Sequence, residues 1–261
     1  MNQGLWVAKT GLDAQQTRMA VVSNNLANVN TTGFKQDRAV FEDLLYQNYR
    51  QAGANTSQDT ILPSGMNLGT GVRIVATEKI FTQGSVLQTG NTYDVAINGR
   101  GFFEILRPSG DSAYTRDGTF RVNDQGELVT SAGFLVQPGI TVPDAVESVT
   151  IAPDGTVTAK QAGQSSPTQI GSLQIIDFIN PAGLQPIGDN LYLETAASGS
   201  PQPGTPTQNG LGALNQGALE SSNVNVVAEL VNMIETQRAY EMNSKAISTN
   251  DQMMQYINNN L

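Results

Sequence analysis

Three aspartates, Asp111, Asp117 and Asp124, and a lone Gly-x-Gly at Gly99 and Gly101 are the residues whose types could do chemistry. The aspartates could hold a calcium ion and the glycines could cradle a phosphate. Neither pattern completes. The aspartate spacing does not fit an EF-hand loop, and an Asp-Gly pair such as Asp117-Gly118 is more often a turn. The Gly-x-Gly lies between β-type runs and lacks the downstream helix of a dinucleotide site. Cysteine and histidine are both absent from the 261 residues. That removes disulfides, Cys or His metal sites and imidazole acid–base chemistry. No G-x-S-x-G, H-E-x-x-H, P-loop or C-x-x-C motif occurs,. The chain is expected to be no enzyme, with no catalytic, metal or cofactor-binding residue and no cofactor.

The charge is informative by its placement. The net charge is −9, which argues against nucleic acid as a partner because that needs a basic face,. Residues 51–220 carry seven basic and fifteen acidic side chains, so nearly all of the net charge sits in the middle. The two ends are almost neutral, and residues 19–34 carry no charge at all. No apolar window of about 18 residues exists to enter a bilayer. No basic start followed by an apolar run marks a cleavable signal. The expectation is a cytoplasmic protein or one exported by a route that needs no such signal.

The elements that must position these ends are helices. Leu5, Ala8, Leu12, Gln15, Met19, Val22, Leu26 and Val29 alternate at spacings of three and four, a coiled-coil seam,. This predicts a helix from about 3 to 28, with Gly33 as a stop signal. Val226, Leu230, Met233, Gln237, Tyr240, Ser244, Ile247, Asp251 and Met254 repeat the spacing. They predict a second helix from about 222 to 258, capped by Ser221 or Ser222 and roughly 50 Å long. Between the helices lie short β-type runs, with hairpin signals at Asn98-Gly99, Asp117-Gly118 and Asp154-Gly155,. Residues 196–217 read as a loop or linker. Residues 36–50 could hold a short helix through Phe41, Leu44 and Leu45, and 51–71 read as an extended arm. The expected fold class is α+β. Residues 1–30 and 221–261 pair as a coiled-coil-like inner domain, 31–84 and 206–220 connect, and 85–205 form an inserted β-rich outer domain.

Two such helices invite each other, but one partner does not cover the second. On a wheel of 100° per residue, Val226, Val227, Leu230, Val231, Met233 and Ile234 span roughly 160°, wider than a coiled-coil seam. The first helix makes the same point with amides. A wet helix face would carry Lys or Glu, whereas Asn24, Asn25, Asn28 and Asn30 are uncharged. Amides can be buried in an interface if their hydrogen bonds are met, and an unpaired charge cannot. The expected assembly interface is therefore Leu5, Leu12, Met19, Val22, Asn24, Asn25, Leu26, Asn28, Gly33 and Phe34, with Val226, Val227, Leu230, Val231, Met233, Ile234, Tyr240, Ile247 and Met254. Val22 and Leu26 are assigned to the chain's own second helix, and Asn24 and Asn28 to neighbouring copies. Repeating one heterologous contact gives a ring or a helical filament. The rival class is a β-domain adhesin or binding module on a helical stalk.

Four motifs carry a family resemblance. SNNLANVNTTGFK at 23–35, DVAINGRGFFEI at 94–105, YTRDGTFRVNDQGELVTSAGFLV at 114–136 and SSNVNVVAELVNMIETQRAYEMNSKAISTNDQMMQ at 221–255 resemble the bacterial flagellar rod and hook proteins, in that order. LWVAKTGLDAQQ, RAVFEDLLYQ, LPSGMNLGTGVR and GDNLYLET are most similar to the distal-rod branch, with the proximal rod and hook branches as competitors. The resemblance implies a periplasmic structural subunit of a hollow helical homopolymer that transmits torque and conducts exported subunits. It implies export by the flagellar type III apparatus without a cleaved signal. It also implies contacts with proximal rod proteins, the hook protein, the rod cap and the ring bushing, and no membrane insertion. The arm, through Tyr49, Leu62, Pro63, Met66 and Leu68, would brace neighbouring subunits.

Overall fold

A run of alanine, leucine, glutamine and methionine without proline favours a helix at each end of the chain. In the computed structural model, which describes residues 3–51, 53, 55–57, 60–61, 63–143, 146–163 and 166–259, both helices form. Helix α1 spans Gln3–Ala27 and helix α2 spans Val226–Asn259. The middle is rich in strands, so the class is α+β. The cap of α2 is Asn225, not Ser221 or Ser222. Its Oδ1 accepts the Val227 and Ala228 amides at 3.0 and 3.2 Å. Ser221 is held elsewhere, its N–H and hydroxyl both donating to the Ser85 carbonyl.

The chain divides into two compact units. The first contains α1, Asp37–Glu78 and α2. Its middle segment corrects the expected short helix. Residues 37–43 are a strand paired with Val72–Lys79. Ion pairs Arg38–Glu78 and Arg73–Glu42, at 3.0 and 2.8 Å, join the two strands. Half-buried Ala39, Val40 and Phe41 sit between exposed Arg38 and Glu42, and β-branched Val40 and aromatic Phe41 suit a strand once that partner exists,. Beyond them, Tyr46–Arg50 and Met66–Gly69 pair antiparallel, Tyr46 opposite Gly69, so the expected arm is a β-ribbon. The ribbon's foot is fixed to α1. The Val72 amide donates to Thr10 Oγ1 at 3.3 Å, and a Cβ on Gly71 would stand 2.1 Å from that oxygen.

The second unit contains 28–36 and 79–224. Its main sheet has seven antiparallel strands in the order 120–122, 128–130, 135–137, 103–106, 112–115, 191–193 and 185–188. A three-stranded sheet follows from 146–151, 156–161 and 168–172. Alternation sends neighbouring rings to opposite sides. Phe103 packs edge-on to Phe120 in a large cluster with Ile97, Val136, Val157 and Ile175. Phe102 packs against Phe178 and Tyr192 in a second cluster. Both aromatics are therefore core. Of the three hairpin signals, only Asp154-Gly155 joins paired strands, Ile151 opposite Val157. Strand 95–98 instead pairs with 213–216, and strand 112–115 with 103–106 and 191–193. Asn98-Gly99 and Asp117-Gly118 therefore turn the chain between non-partners. A Cβ on Gly118 would lie 1.7 Å from the Val95 carbonyl oxygen, a close approach that explains the glycine without a hairpin. The expected linker 196–217 also contributes strands 202–204 and 213–216, with Leu214 buried in the core.

Tyr114 belongs to the second cluster, its ring 4.8 Å from that of Phe178. Burial, reinforced by Glu104 and Glu194, pushes its phenol up to about 12 from 10.0. The folded value is raised, so this contribution to stability is complete below pH 10 and is lost as pH rises through 12,. Urea unfolding across that window should show the wild-type chain losing about 2 kcal/mol more than Tyr114→Phe. Equal losses would show that the phenol is solvated.

Candidate assembly interface

The packing between α1 and α2 reverses the expected use of their faces. Arg18 approaches Asn232 and Glu235, and Gly11 faces Asn243, where a Cβ would stand 3.1 Å from Nδ2. The two helices therefore run antiparallel in contact. The residues α2 buries are Glu229, 2% exposed, and Thr236, fully buried. Thr236 satisfies its hydroxyl by donating to the Asn232 carbonyl at 2.6 Å. Asn232, Met233, Ala239, Asn243, Ile247 and Asn250 are half-buried and continue this row at the heptad spacing,. The period of α2 thus follows the sequence, but the phase does not. The fully buried members of the inward row, Glu229 and Thr236, are polar, and the buried residues of α1 are Ala8, Ala14, Val22 and Asn25.

The apolar row is outward. Val226, Leu230, Val231, Ile234, Tyr240 and Met254 are all exposed, and Val227 is 71% exposed. Of the expected α2 positions, only Met233 and Ile247 are half-buried. On the β-ribbon Tyr49, Pro63, Met66 and Leu68 are exposed, as are Tyr46 and Leu45, the latter 87%. Leu62 lies outside the described residues. Large apolar side chains in continuous exposed rows mark interaction surfaces. In α1, Leu5, Leu12, Met19 and Leu26 are half-buried and Val22 is buried.

The asparagines separate into three roles. Asn25 is 1% exposed and pairs with backbone as another peptide would. Its Nδ2 donates to the Asp37 carbonyl and its Oδ1 accepts the Asp37 amide, both at 2.8 Å. It is consumed inside its own chain and offers nothing to a neighbour. Asn28 is a turn residue, accepting the Thr31 hydroxyl and amide. Asn24 is exposed, with Nδ2 3.3 Å from an Asp37 carboxylate oxygen. Gly33 and Phe34 also differ from the expectation, since both are buried within the second unit. Gly33 adopts φ +68°, and the backbone of Arg116 and Asp117 passes where a Cβ would be, so both constraints favour glycine,.

Sequence reasoning missed a buried charge cluster in the second unit. The side chains of Lys35 and Glu220 are wholly buried, with Lys35 Nζ 2.6 Å from Glu220 Oε1. Arg116 Nε lies 3.1 Å from Glu220 Oε2. Lys35 also donates to the Thr82 carbonyl at 2.8 Å, and Arg116 donates to Gly99 and Gly101 carbonyls at 2.7 Å. Burial pulls the Lys35 ammonium and the Arg116 guanidinium below their ordinary values, and Glu220 opposes both shifts. Among the described residues no group of carboxylates is arranged to hold a metal ion. Asp117 instead ties a turn, accepting the Thr119 amide.

Comparison with known proteins agrees along the whole chain. Residues 5–35 match the family described as flagella basal body rod protein. Residues 96–159 match the flagellar hook protein FlgE/F/G D1 domain, and 215–260 match the flagellar basal body rod FlgEFG protein C-terminal region. The chain is 57% identical over 255 residues to the flagellar basal-body rod protein FlgG of Buchnera aphidicola, covering 98% of each. It is 48% identical over 261 residues to FlgG of Borreliella burgdorferi, covering 99% of this chain and 98% of that one. It is 37% identical over 252 residues to the flagellar basal-body rod protein FlgF of Caulobacter vibrioides, covering 94% and 92%.

Proposed function

The chain belongs to the flagellar basal-body rod protein family and is a structural subunit of the rod, and from that premise we propose that it forms the distal part of the rod. In this reading it polymerises with itself into a hollow helical shaft. Helices α1 and α2 form the inner, coiled-coil-like layer, and the β-rich unit, which takes in 28–30 and 206–224, forms the outer one. Its partners are the proximal rod proteins, the hook protein, the rod cap and the ring bushing. It reaches the periplasm through the flagellar type III apparatus without a cleaved signal. The shaft carries torque from motor to hook and passes exported subunits along its bore. The distal placement is supported by the resemblance of residues 5–16, 38–47, 62–73 and 188–195 to that branch.

One observation carries the polymer reading: α2 turns its widest apolar row away from its own chain. Burying Val227, Leu230, Val231 and Ile234 between copies would favour association at about 25 cal/mol per Å² of apolar surface removed from water, less the cost of ordering the partners. No solvated helix gains from keeping them exposed. The ribbon of Tyr49, Met66 and Leu68 offers a second apolar strip, in the role of a brace between copies. The expected test is a cryo-EM map of the assembled polymer. These four α2 side chains should be buried between subunits. A map that left them in solvent would refute the reading. An adhesin on a stalk has no use for the row, and deletion of α2 would spare its activity while abolishing a rod.

A further inference from the structure

We propose that the buried Lys35–Glu220–Arg116 cluster is a positioning device for assembly, which fixes the register of three of the four segments by which the chain passes between the β-rich unit and the helical unit. Those segments are 33–36, 79–85 and 220–224, and each continues into the helical unit. The proposal rests on the rod reading.

The geometry converges on one carboxylate. Glu220 Oε1 accepts from Lys35 Nζ at 2.6 Å and from the Gly84 amide at 2.9 Å. Glu220 Oε2 faces Arg116, whose other nitrogens grip the Gly99 and Gly101 carbonyls beside the core. One side chain thus ties the first segment, the second and the body of the unit, while its own backbone belongs to the third. The backbones are locked alongside. The Gly33 amide donates to the Glu220 carbonyl at 2.8 Å, and the Ile80 amide to the Gln36 carbonyl at 2.8 Å. Asn223 completes the clamp: its Oδ1 accepts the Gln36 amide at 2.7 Å and its Nδ2 donates to the Ile80 carbonyl at 2.8 Å. The second and third segments run so close that a Cβ on Gly84 would lie 2.0 Å from the Ser221 carbonyl oxygen.

Stability alone does not account for charges here. Buried ion clusters are commonly no more stabilising than apolar residues of the same volume. What charge-assisted hydrogen bonds add is direction, since a carboxylate accepts only along set lines whereas apolar contacts slide. A rod needs every subunit to send the chain from one unit to the other in the same register. A register error at the exits is repeated at every contact of a helical lattice.

The test replaces the wild-type chain in its own cell and counts rods in isolated basal bodies by electron microscopy. The triple variant Lys35→Met/Arg116→Met/Glu220→Leu roughly keeps the volume and removes the charges, together with the side-chain partners of the Gly84 amide and the Gly99 and Gly101 carbonyls. Its purified full chain should unfold cooperatively with an unchanged near-UV spectrum, yet rods and swimming should be lost. Glu220→Asp keeps the charge and withdraws it by one methylene, and it should fold and give a reduced rod count. Normal rods from a folded triple variant overturn the proposal. If the triple variant does not fold, Glu220→Asp decides, and a normal rod count from it overturns the proposal. Val231→Asp, on the outward face of α2, separates the two ideas. If that variant builds normal rods, the polymer reading fails by itself, whatever the cluster does.

Discussion

Val227→Asp is expected to leave the unfolding of the free chain unchanged and to abolish the rod. The side chain is 71% exposed and lies on the face of α2 that its own chain does not cover. A substitution at such a site usually moves stability by less than about 0.5 kcal/mol. In the assembled rod the same position would bring a carboxylate into a packed apolar contact. An unpaired buried charge there is strongly unfavourable, on the order of 3–5 kcal/mol, and the penalty recurs in every subunit. The paired measurements are thermal unfolding of the dilute chain and a rod count in basal bodies. A comparison substitution gives the opposite result. Thr236→Leu overfills the fully buried seam between α1 and α2 and should destabilise the free chain by about 1–3 kcal/mol,. If Val227→Asp lowered the stability of the free chain by as much, the outward assignment of the row would be wrong.

The period of both helices is legible in the sequence, because heptad spacing survives whichever face it serves. The phase of α2 is not. The most apolar row reads as the intramolecular seam, since burial within one chain is the usual reason for such a row. Here that seam is Glu229, Thr236 and their half-buried neighbours, and most of the apolar row is exposed. The excess width of the stripe was the legible warning. The pairing of strands 46–50 and 66–69 is illegible for a different reason. The strands have no strict alternation, and their pairing depends on a partner twenty residues away rather than on a local turn dipeptide.

Asparagine behaves similarly. The absence of charge over 19–34 marks the segment as surrounded, but composition does not say by what. Asn25 is surrounded by its own chain, through a reciprocal pair of bonds to Asp37, whereas Asn24 one residue earlier is exposed. The cluster of Lys35, Arg116 and Glu220 was invisible because its members are far apart along the chain. A usable signal existed. Glu220 is the only charged side chain between Glu194 and Glu229, and Lys35 is the first after the neutral run 19–34. A solitary charge in a neutral segment is poorly explained by solubility and is a candidate for burial with a partner.

Glu220→Gln should be among the most destabilising single changes in the β-rich unit. The two residues have nearly the same shape, so packing is preserved and the change removes charge. The carboxylate accepts from Lys35 and Gly84 on one oxygen and faces Arg116 with the other. An amide has one acceptor and one donor end. Either orientation therefore turns its NH2 group against a cationic donor, and both cations lose their counter-charge in a site that water does not reach. Breaking a buried ion pair on one side typically destabilises by about 3–5 kcal/mol, a large share of the 5–15 kcal/mol that holds an ordinary domain together. Urea unfolding should show a lower midpoint with an unchanged slope, since the surface exposed on unfolding is the same. Lys35→Met added to Glu220→Gln should recover part of the loss by removing one of the stranded cations. The double-mutant cycle should then give a favourable coupling between the two positions. The sign of that coupling is the decisive quantity. If Lys35→Met deepened the loss in the Glu220→Gln background, Lys35 would be held by the Thr82 carbonyl and its packing rather than by Glu220.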